Sequence, residues 1–326
     1  MYTSDDSSWK LSKGMSDGGC SDPSVVEWEK DKLMMMTACD DGRRRVYESG
    51  DKGESWTEAL GTLSRVWGNP RGDKAKGVGS GFITATVGGD KKKVILVTLP
   101  VYSKEKEDEE KEKSELHLWL TDNTHIVDIG PVSEKDGDEV TASSLLYESA
   151  VSGDSNHEDK LIALYEKKGG GESTHGIWSV RLTEQLQRVK DVVATWKKVD
   201  GIVSKLCPTS SAAKGTSTGN ACSTVNITDG LVGFLSGNFS DDTWRDEYLG
   251  VNATVKRDAT VAADAAVATG TVDGVTFKGR GAGARWPVGA QGENQLYHFA
   301  NYNFTLVATV SIDKVPEGDI SIPCWV

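Results

Sequence analysis

No run of about 18 apolar residues occurs anywhere in the sequence, so no stretch reads as a membrane-spanning helix. The opening residues MYTSDDSSWK are polar throughout and lack the apolar core of a secretion signal. Positive charge is in deficit. There are 37 Lys and Arg against 49 Asp and Glu, and the net charge of −12 speaks against nucleic acid and anionic membrane surfaces as partners. It offers no general attraction to an anionic sugar either, which would need arginines gathered locally. The five histidines are scattered and no Cys or His pair has metal-ligand spacing, so neither a metal nor another cofactor is expected. Cysteines are few and odd in number, five in all. Cys207 and Cys222 flank the polar loop PTSSAAKGTSTGNA, which either a short disulfide closes or two free thiols border. Cys20, Cys39 and Cys324 have no partner assignable from sequence.

Turn material, by contrast, is abundant. The 326 residues suffice for about two domains, and 36 glycines with 37% hydrophobic residues fit a turn-rich, mainly β protein. Over residues 1–180 short strand patterns follow one another closely: SVVEW, KLMMMTAC, RRVYES, GFITATV, KVILVTLPVY, ELHLWLTD, SSLLY, KLIALYEK and IWSVRL. Sequential antiparallel hairpins of this kind build a sandwich or a propeller. The charge run KEKEDEEKEKSE, residues 104–115, reads as a solvated hairpin tip. Over 182–206 the period changes. Leu182, Leu186, Val189, Val193, Trp196, Val199, Val203 and Leu206 recur every three or four residues, as on one amphipathic helix. Thr183 or a neighbour would cap it, and Pro208 follows its end. From residue 223 strand patterns return in VNITDGLVGFLSG, EYLGVNATV, VTFKGRG and LYHFANYNFTLVATVSI. An Ala/Thr/Asp-rich insert over 255–274 reads as a loop. The sequons at Asn226, Asn238, Asn252 and Asn303 fit a secretory route with glycosylated surface loops.

Residues 43–68, RRRVYESGDKGESWTEALGTLSRVWG, carry the sharpest local signal. Ser49, Asp51, Gly53 and Trp56 form the pattern S-x-D-x-G-x-x-W between two strand patterns. The Ser49 and Asp51 side chains reach nearby backbone N–H groups, Gly53 tolerates positive φ, and Trp56 supplies an apolar plug for its own sheet. This is an Asp box, a turn staple that carries fold information and no chemistry. YTSDDSSW near the start looks like a degenerate second box, about 47 residues earlier, as one propeller repeat would place it. At roughly 40–50 residues per blade, residues 1–180 supply about four blades. Arg43, Arg44 and Arg45 read as surface charges flanking the box.

With the words VYESGDKGESW, TLSRVWG, LWLTDN and NQLYHFANYNFTLVATVSI, the Asp box resembles the trans-sialidase superfamily of trypanosome surface proteins, over nearly the whole chain. The resemblance implies a mainly β fold. Residues 1–180 would be part of a six-bladed sialidase β-propeller, 181–207 a linking helix, and 208–326 the start of a lectin-like, concanavalin-type β-sandwich. It implies an internal piece of a longer protein on the secretory route, held at the cell surface by a GPI anchor. It also implies that Cys207 pairs with Cys222.

Active members of the superfamily grip the sialic acid carboxylate with three arginines, because guanidinium forks match carboxylates. A tyrosine attacks the anomeric carbon, activated by a glutamate, because a carboxylate nucleophile would repel the anionic sugar. An aspartate is the acid/base, and another glutamate orients an arginine. Matched word by word, Asp22 in Gly19-Cys20-Ser21-Asp22 stands where the activating glutamate is, and Ala38 where the second arginine is. Lys113 stands for the third arginine, with Lys111 where active members offer an aromatic to the acceptor. Ala142, ahead of Ser143-Ser144-Leu145-Leu146-Tyr147, holds the nucleophile's place, Tyr147 is a structural position, and Glu166 is retained. The first arginine and the acid/base aspartate would lie ahead of Met1.

Without the resemblance, Asp22 is a turn carboxylate before Pro23, Lys113 a solvated charge, and Glu166 a partner for Lys167. One lost charge-assisted pair costs about 1.5–3 kcal/mol. Two lost arginine forks and a missing nucleophile remove several orders of magnitude of rate. The expected function is therefore a catalytically silent surface glycoprotein that adheres to host-cell or matrix proteins or glycans and is an immune target. The alternatives are a working sialidase or trans-sialidase, and a coat protein without a specific ligand.

Overall fold

The computed structural model describes residues 7–14, 16, 18–68, 78–102, 114–132, 140–150, 158–168, 175–206, 227–256, 267–279 and 281–313. Three antiparallel sheets come first. The first is β1 (Cys20–Glu29), β2 (Lys32–Cys39), β3 (Arg44–Ser49) and β4 (Thr57–Glu58), paired in chain order. The second is β5 (Phe82–Val87), β6 (Lys92–Tyr102), β7 (Ser114–Thr121) and β8 (Ile126–Pro131), again in order. The third is β9 (Val140–Glu148), β10 (Lys160–Lys168) and β11 (His175–Arg181). The sequence patterns pick out nine of these strands and miss the two-residue β4 and β8. In β8, IVDIGP, the Asp, Gly and Pro imitate a turn. The stretch holds three sheets among the described residues, fewer than the four blades its length suggests, because insertions between strands lengthen each repeat.

Alternating burial explains how the sheets stack. On β6, Val94 and Leu96 enter one core while Ile95, Val97 and Leu99 enter another. The middle sheet is thus covered on both faces, and its central strand reads as an unbroken apolar run. The first strands of the three sheets pack side by side, β1 against β5 and β5 against β9. α1 (Thr183–Leu206) closes the second and third sheets by burying Leu186, Val189, Val192, Val193, Trp196, Val199 and Val203. Glu184 in its first turn and Lys205 in its last complement the helix dipole. Leu206 is not on the buried face but 59% exposed, and Val192 takes part instead.

The C-terminal part is a sheet of β12 (Leu235–Ser240), β13 (Thr243–Asp246), β14 (Ala253–Lys256) and β17 (Gly283–Arg285), with a separate hairpin of β15 (Val267–Gly270) and β16 (Val275–Lys278). The expected loop over 255–274 is therefore partly strand; residues 257–266 of it lie outside the described residues. The expected strand LYHFANYNFTLVATVSI is corrected too. Gln295–Asn301 is a 3-10 helix, and residues 302–313 form neither helix nor strand. Val307 and Val310 are 88% and 69% exposed there, so an alternating pattern without a partner strand does not become a strand.

The cysteine reading also changes. Cys20 and Cys39 form a disulfide across β1 and β2, where they are direct register partners. Sequence spacing hid this pair because the hairpin register, not the separation of 19, brings the two together. Cys207, Cys222 and Cys324 lie outside the described residues.

Candidate functional site

The Asp box forms as its residue types require. Ser49 Oγ accepts from Gly53 N–H at 2.8 Å and donates to Asp51 Oδ1 at 2.8 Å. Asp51 accepts from Ser55 N–H at 2.8 Å and from Ser55 Oγ at 2.6 Å. Those bonds, led by the Ser55 hydroxyl, hold the Asp51 carboxyl down to about 2. Gly53 sits at φ 93°, which only glycine adopts cheaply. Trp56 is only half-buried, and the tryptophan that plugs this sheet is Trp67, 3% exposed. The box lies at one end of the first sheet, with Ser49 opposite Leu33, while Ala38 and Arg44 pair at the other end. Of the degenerate box near the start, only Ser7, Ser8 and Trp9 are described.

That other end carries the positions matched to chemistry. Ser21 pairs with Ala38, so Asp22 follows beside Ala38 in the bulge of β1 between Ser21 and Ser24. Asp22 has φ 51° and accepts from Ser21 Oγ at 2.8 Å, as a turn carboxylate does. Ala142 lies near the start of β9, on the third sheet. A Cβ on Gly79 would stand 3.9 Å from the Ala142 methyl, so the segment before β5 passes directly by it. That segment ties the rim together. Arg44 Nη2 donates to Val78 O at 2.7 Å, Ser24 Oγ to Ser80 O at 3.1 Å, and Ser143 N–H to Gly79 O at 3.0 Å. The rim thus brings together Asp22, Ala38 and Ala142 from the first and third sheets.

Glu166 belongs to the same end. A bulge between Tyr165 and Lys167 sets it opposite Thr141 and Ala142. Its Oε2 accepts from Thr141 Oγ1 at 2.8 Å, whereas Lys167 lies over the Trp178 ring at 5.5 Å. The reading of a Glu166–Lys167 pair is corrected: on a strand, neighbours point to opposite faces. Lys113 and Lys111 fall outside the described residues, although Ser114 places the start of β7 on this rim, paired with Tyr102.

The three arginines are not simple surface charges. Arg44 is 8% exposed, Arg43 Nε donates to Gln291 O at 3.3 Å, and Arg45 pairs with Asp41 at 3.1 Å. Adjacent to the rim, sequence reading missed His117, whose Nδ1 lies 2.9 Å from Asp128 Oδ2 and whose Nε2 lies 3.5 Å from Glu115. Burial alone would lower its pKa, but the bonds to Asp128 and Glu115 outweigh that and raise it. The clue was period two: Glu115 and His117 share a face, opposite buried Leu116 and Leu118.

Tyr147 is far from this rim. It lies five residues along β9 from Ala142, about 16 Å at about 3.3 Å per residue. Its hydroxyl donates to Thr86 O at 2.9 Å, and burial, then the nearby Asp159 carboxylate, pushes it up to about 12. Near it, Asp159, Lys160, Arg181, Gln187 and Lys190 line a cleft at the opposite end of the third sheet. Among the described residues no group of three or more His, Cys, Asp or Glu is set to hold a metal, and no helix is long and apolar enough to cross a membrane. Of the sequons, Asn238 and Asn303 are exposed, and Asn226 lies outside the described residues. Asn252 is half-buried, with its Oδ1 accepting from Asp246 N–H at 2.8 Å.

Residues 1–166 match the BNR repeat-like domain, and residues 227–324 match the trans-sialidase C-terminal domain. The chain is 35% identical over 322 residues to a sialidase of Trypanosoma cruzi and 34% identical over 324 residues to sialidase 85-1.1 of the same organism. Each alignment takes in 98% of this chain but 25% and 37% of those relatives, so the chain spans about a quarter to a third of their length. Trypanosoma rangeli sialidase in complex with the inhibitor DANA superposes with a TM-score of 0.77 at 39% identity, over 98% of this chain and 46% of that one. The same sialidase in complex with sialic acid gives 0.76 at 39% identity, over 98% and 45%.

Proposed function

The chain belongs to the trans-sialidase family of trypanosome sialidases, and on that premise we propose that it is a surface glycoprotein that keeps the family's scaffold without its transfer chemistry. In this reading residues 1–180 are propeller, 181–207 the linking helix, and 208–326 the lectin-like part. The protein follows the secretory route, carries glycans at its exposed sequons and is anchored by GPI in its full-length form. Its ligands are host-cell or matrix proteins or glycans, and it is a target of host immunity.

One observation carries the proposal: the strand position matched to the nucleophile is Ala142, while the phenol nearest in sequence, Tyr147, points its hydroxyl at Thr86 O. A methyl group has no nucleophilic atom. Ala38 removes one guanidinium fork, and Glu166, matched to the arginine-orienting glutamate, is held by Thr141. Arg44 does not replace that fork, since it is buried and donates to Val78 O. Asp22 is one methylene shorter than the glutamate it stands for.

The test is to incubate the full-length protein with a sialyl donor and a galactoside acceptor. The expected result is no transfer or release above that of an active member whose nucleophile has been changed to alanine. Activity above that level sinks the proposal and favours the second reading, a working sialidase or trans-sialidase. A glycan array with a screen against laminin and fibronectin then separates adhesion from a coat without a ligand, which uniformly negative results would favour.

A further inference from the structure

The C-terminal part meets the first two sheets and α1 along a seam whose polar groups are largely matched. Tyr302 donates to Ser64 O at 3.2 Å, Arg43 Nε to Gln291 O at 3.3 Å, and Trp196 Nε1 to Tyr248 O at 2.9 Å. Two imidazole nitrogens break that pattern. His125, in the turn between β7 and β8, engages Asp122 through Nδ1 at 3.1 Å and stacks on Tyr248 with ring centroids 4.3 Å apart. Its Nε2 is buried with no hydrogen-bond partner among the described residues. His298, in the 3-10 helix and 3% exposed, leaves Nδ1 buried in the same state. These rings come from opposite sides of the seam.

We propose that His298, with His125 across from it, makes this seam an acid-sensitive latch, closed while His298 is neutral and released when it takes up a proton. A proton taken up by the His298 ring would create a buried cation that only the backbone of Gln295 favours, and burial outweighs it. The charged groups around the seam offer no compensation. From the β7–β8 turn, Asp122 is engaged by His125 and by Lys92 at 3.2 Å. From α1, Asp200 accepts from the Tyr248 hydroxyl at 2.6 Å. From the C-terminal sheet, Asp246 accepts from the backbone N–H groups of Phe234, Gly250 and Val251. From the first sheet, Glu58 is paired with Arg65, and Arg43 is a further positive charge. Of these groups, His125 is the charge that weighs on His298.

Burial holds the His298 pKa down to about 4, from 6.5; the hydrogen bond to the Gln295 backbone works against it and the charge of His125 adds to it. A depressed histidine contributes its stability in full above 6.5 and loses it as pH falls towards 4. By linkage the ratio of closed to open seam falls about 30-fold by pH 5 and more than about 100-fold by pH 4.

The experiment uses the whole chain between pH 7.5 and 4. Amide exchange is followed at Gln291–Tyr302 and in β6, beside the His298 imidazole titration by NMR. The expected result is that opening at 291–302, taken as exchange relative to the intrinsic amide rate at each pH, rises steeply below pH 5.5 while β6 stays protected, with His298 titrating below 5. His298→Gln should flatten that rise, and His125→Gln should reduce it in part. A His298 midpoint between 6 and 7, or the same rise in His298→Gln as in the wild type, overturns the proposal. If His298→Gln fails to fold, the wild-type titration decides alone.

Discussion

Replacing Asp246 by alanine probes how the C-terminal part is held together. The carboxylate is 1% exposed at the end of β13 and accepts three backbone bonds. The donors are the N–H groups of Phe234 at 2.7 Å, Gly250 at 2.9 Å and Val251 at 3.0 Å. It therefore fixes the segment before β12 and the turn before β14 at once. Alanine removes every acceptor. The Gly250 and Val251 bonds are buried, and each donor left bare costs about 1–3 kcal/mol. The Phe234 bond is partly buried and water recovers part of it, so the sum is about 3–6 kcal/mol. Asparagine keeps one acceptor oxygen and should lose about half as much. Urea unfolding followed by far-UV circular dichroism at pH 7 measures the difference, with a separate transition of the C-terminal part read as its own midpoint. A loss under about 1 kcal/mol for Asp246→Ala, or equal losses for both variants, would refute the reasoning.

Three further outcomes rest on particular contacts. Gly68→Ala should destabilise by about 1–3 kcal/mol, because its Cβ would meet Gly292 O at 2.8 Å and Gly292 Cα at 3.0 Å across the seam. Gly50→Ala, with nothing within 4 Å, should change stability by under about 0.5 kcal/mol; thermal melts of both separate close approach from a general intolerance of side chains. Removing the disulfide by Cys20→Ala with Cys39→Ala should cost about 3 kcal/mol for a loop closed over a separation of 19, read by urea midpoints with and without reductant, and an unchanged midpoint would count against it. His117, whose pKa is raised, contributes stability present below 6.5 and lost as pH climbs through its folded value. The gap between wild type and His117→Gln should therefore narrow from pH 6 to pH 9, opposite in sign to the effect of His298, and a gap independent of pH refutes the assignment.

Local periodicity made most of this fold legible. The patterns of KLMMMTAC and KVILVTLPVY become β2 and β6, and the repeat from Leu186 to Val203 becomes α1. What stayed hidden depends on register or on a partner. Cys20 pairs with Cys39 only because β1 and β2 align them, and Arg44 is buried only because the segment before β5 crosses it. Phe304–Ile312 has strand composition and no strand, since propensity records how a side chain suits a sheet rather than whether a sheet is there. His298 looked like one of five scattered histidines, and nothing local marks it as the ring buried at the seam.

The bonds of the rim bear on the proposed parting of scaffold and chemistry. The bonds that shape it run from Arg44 to Val78 O, Ser24 to Ser80 O and Ser143 N–H to Gly79 O. None of them uses the side chain of residue 38 or 142, and the acceptor in each is a backbone carbonyl. On the proposed matching of residues 38 and 142 to a guanidinium and a phenol, exchanging either for alanine would leave no buried donor or acceptor bare, so its folding cost would be small. Glu166 is the case on the other side. Its carboxylate would be left half-buried if it lost its partner, and here Thr141 supplies one from the strand beside it. A position whose side chain served only the ligand can drift to alanine, whereas one that also carries a charge into the sheet must keep a hydrogen-bonding neighbour.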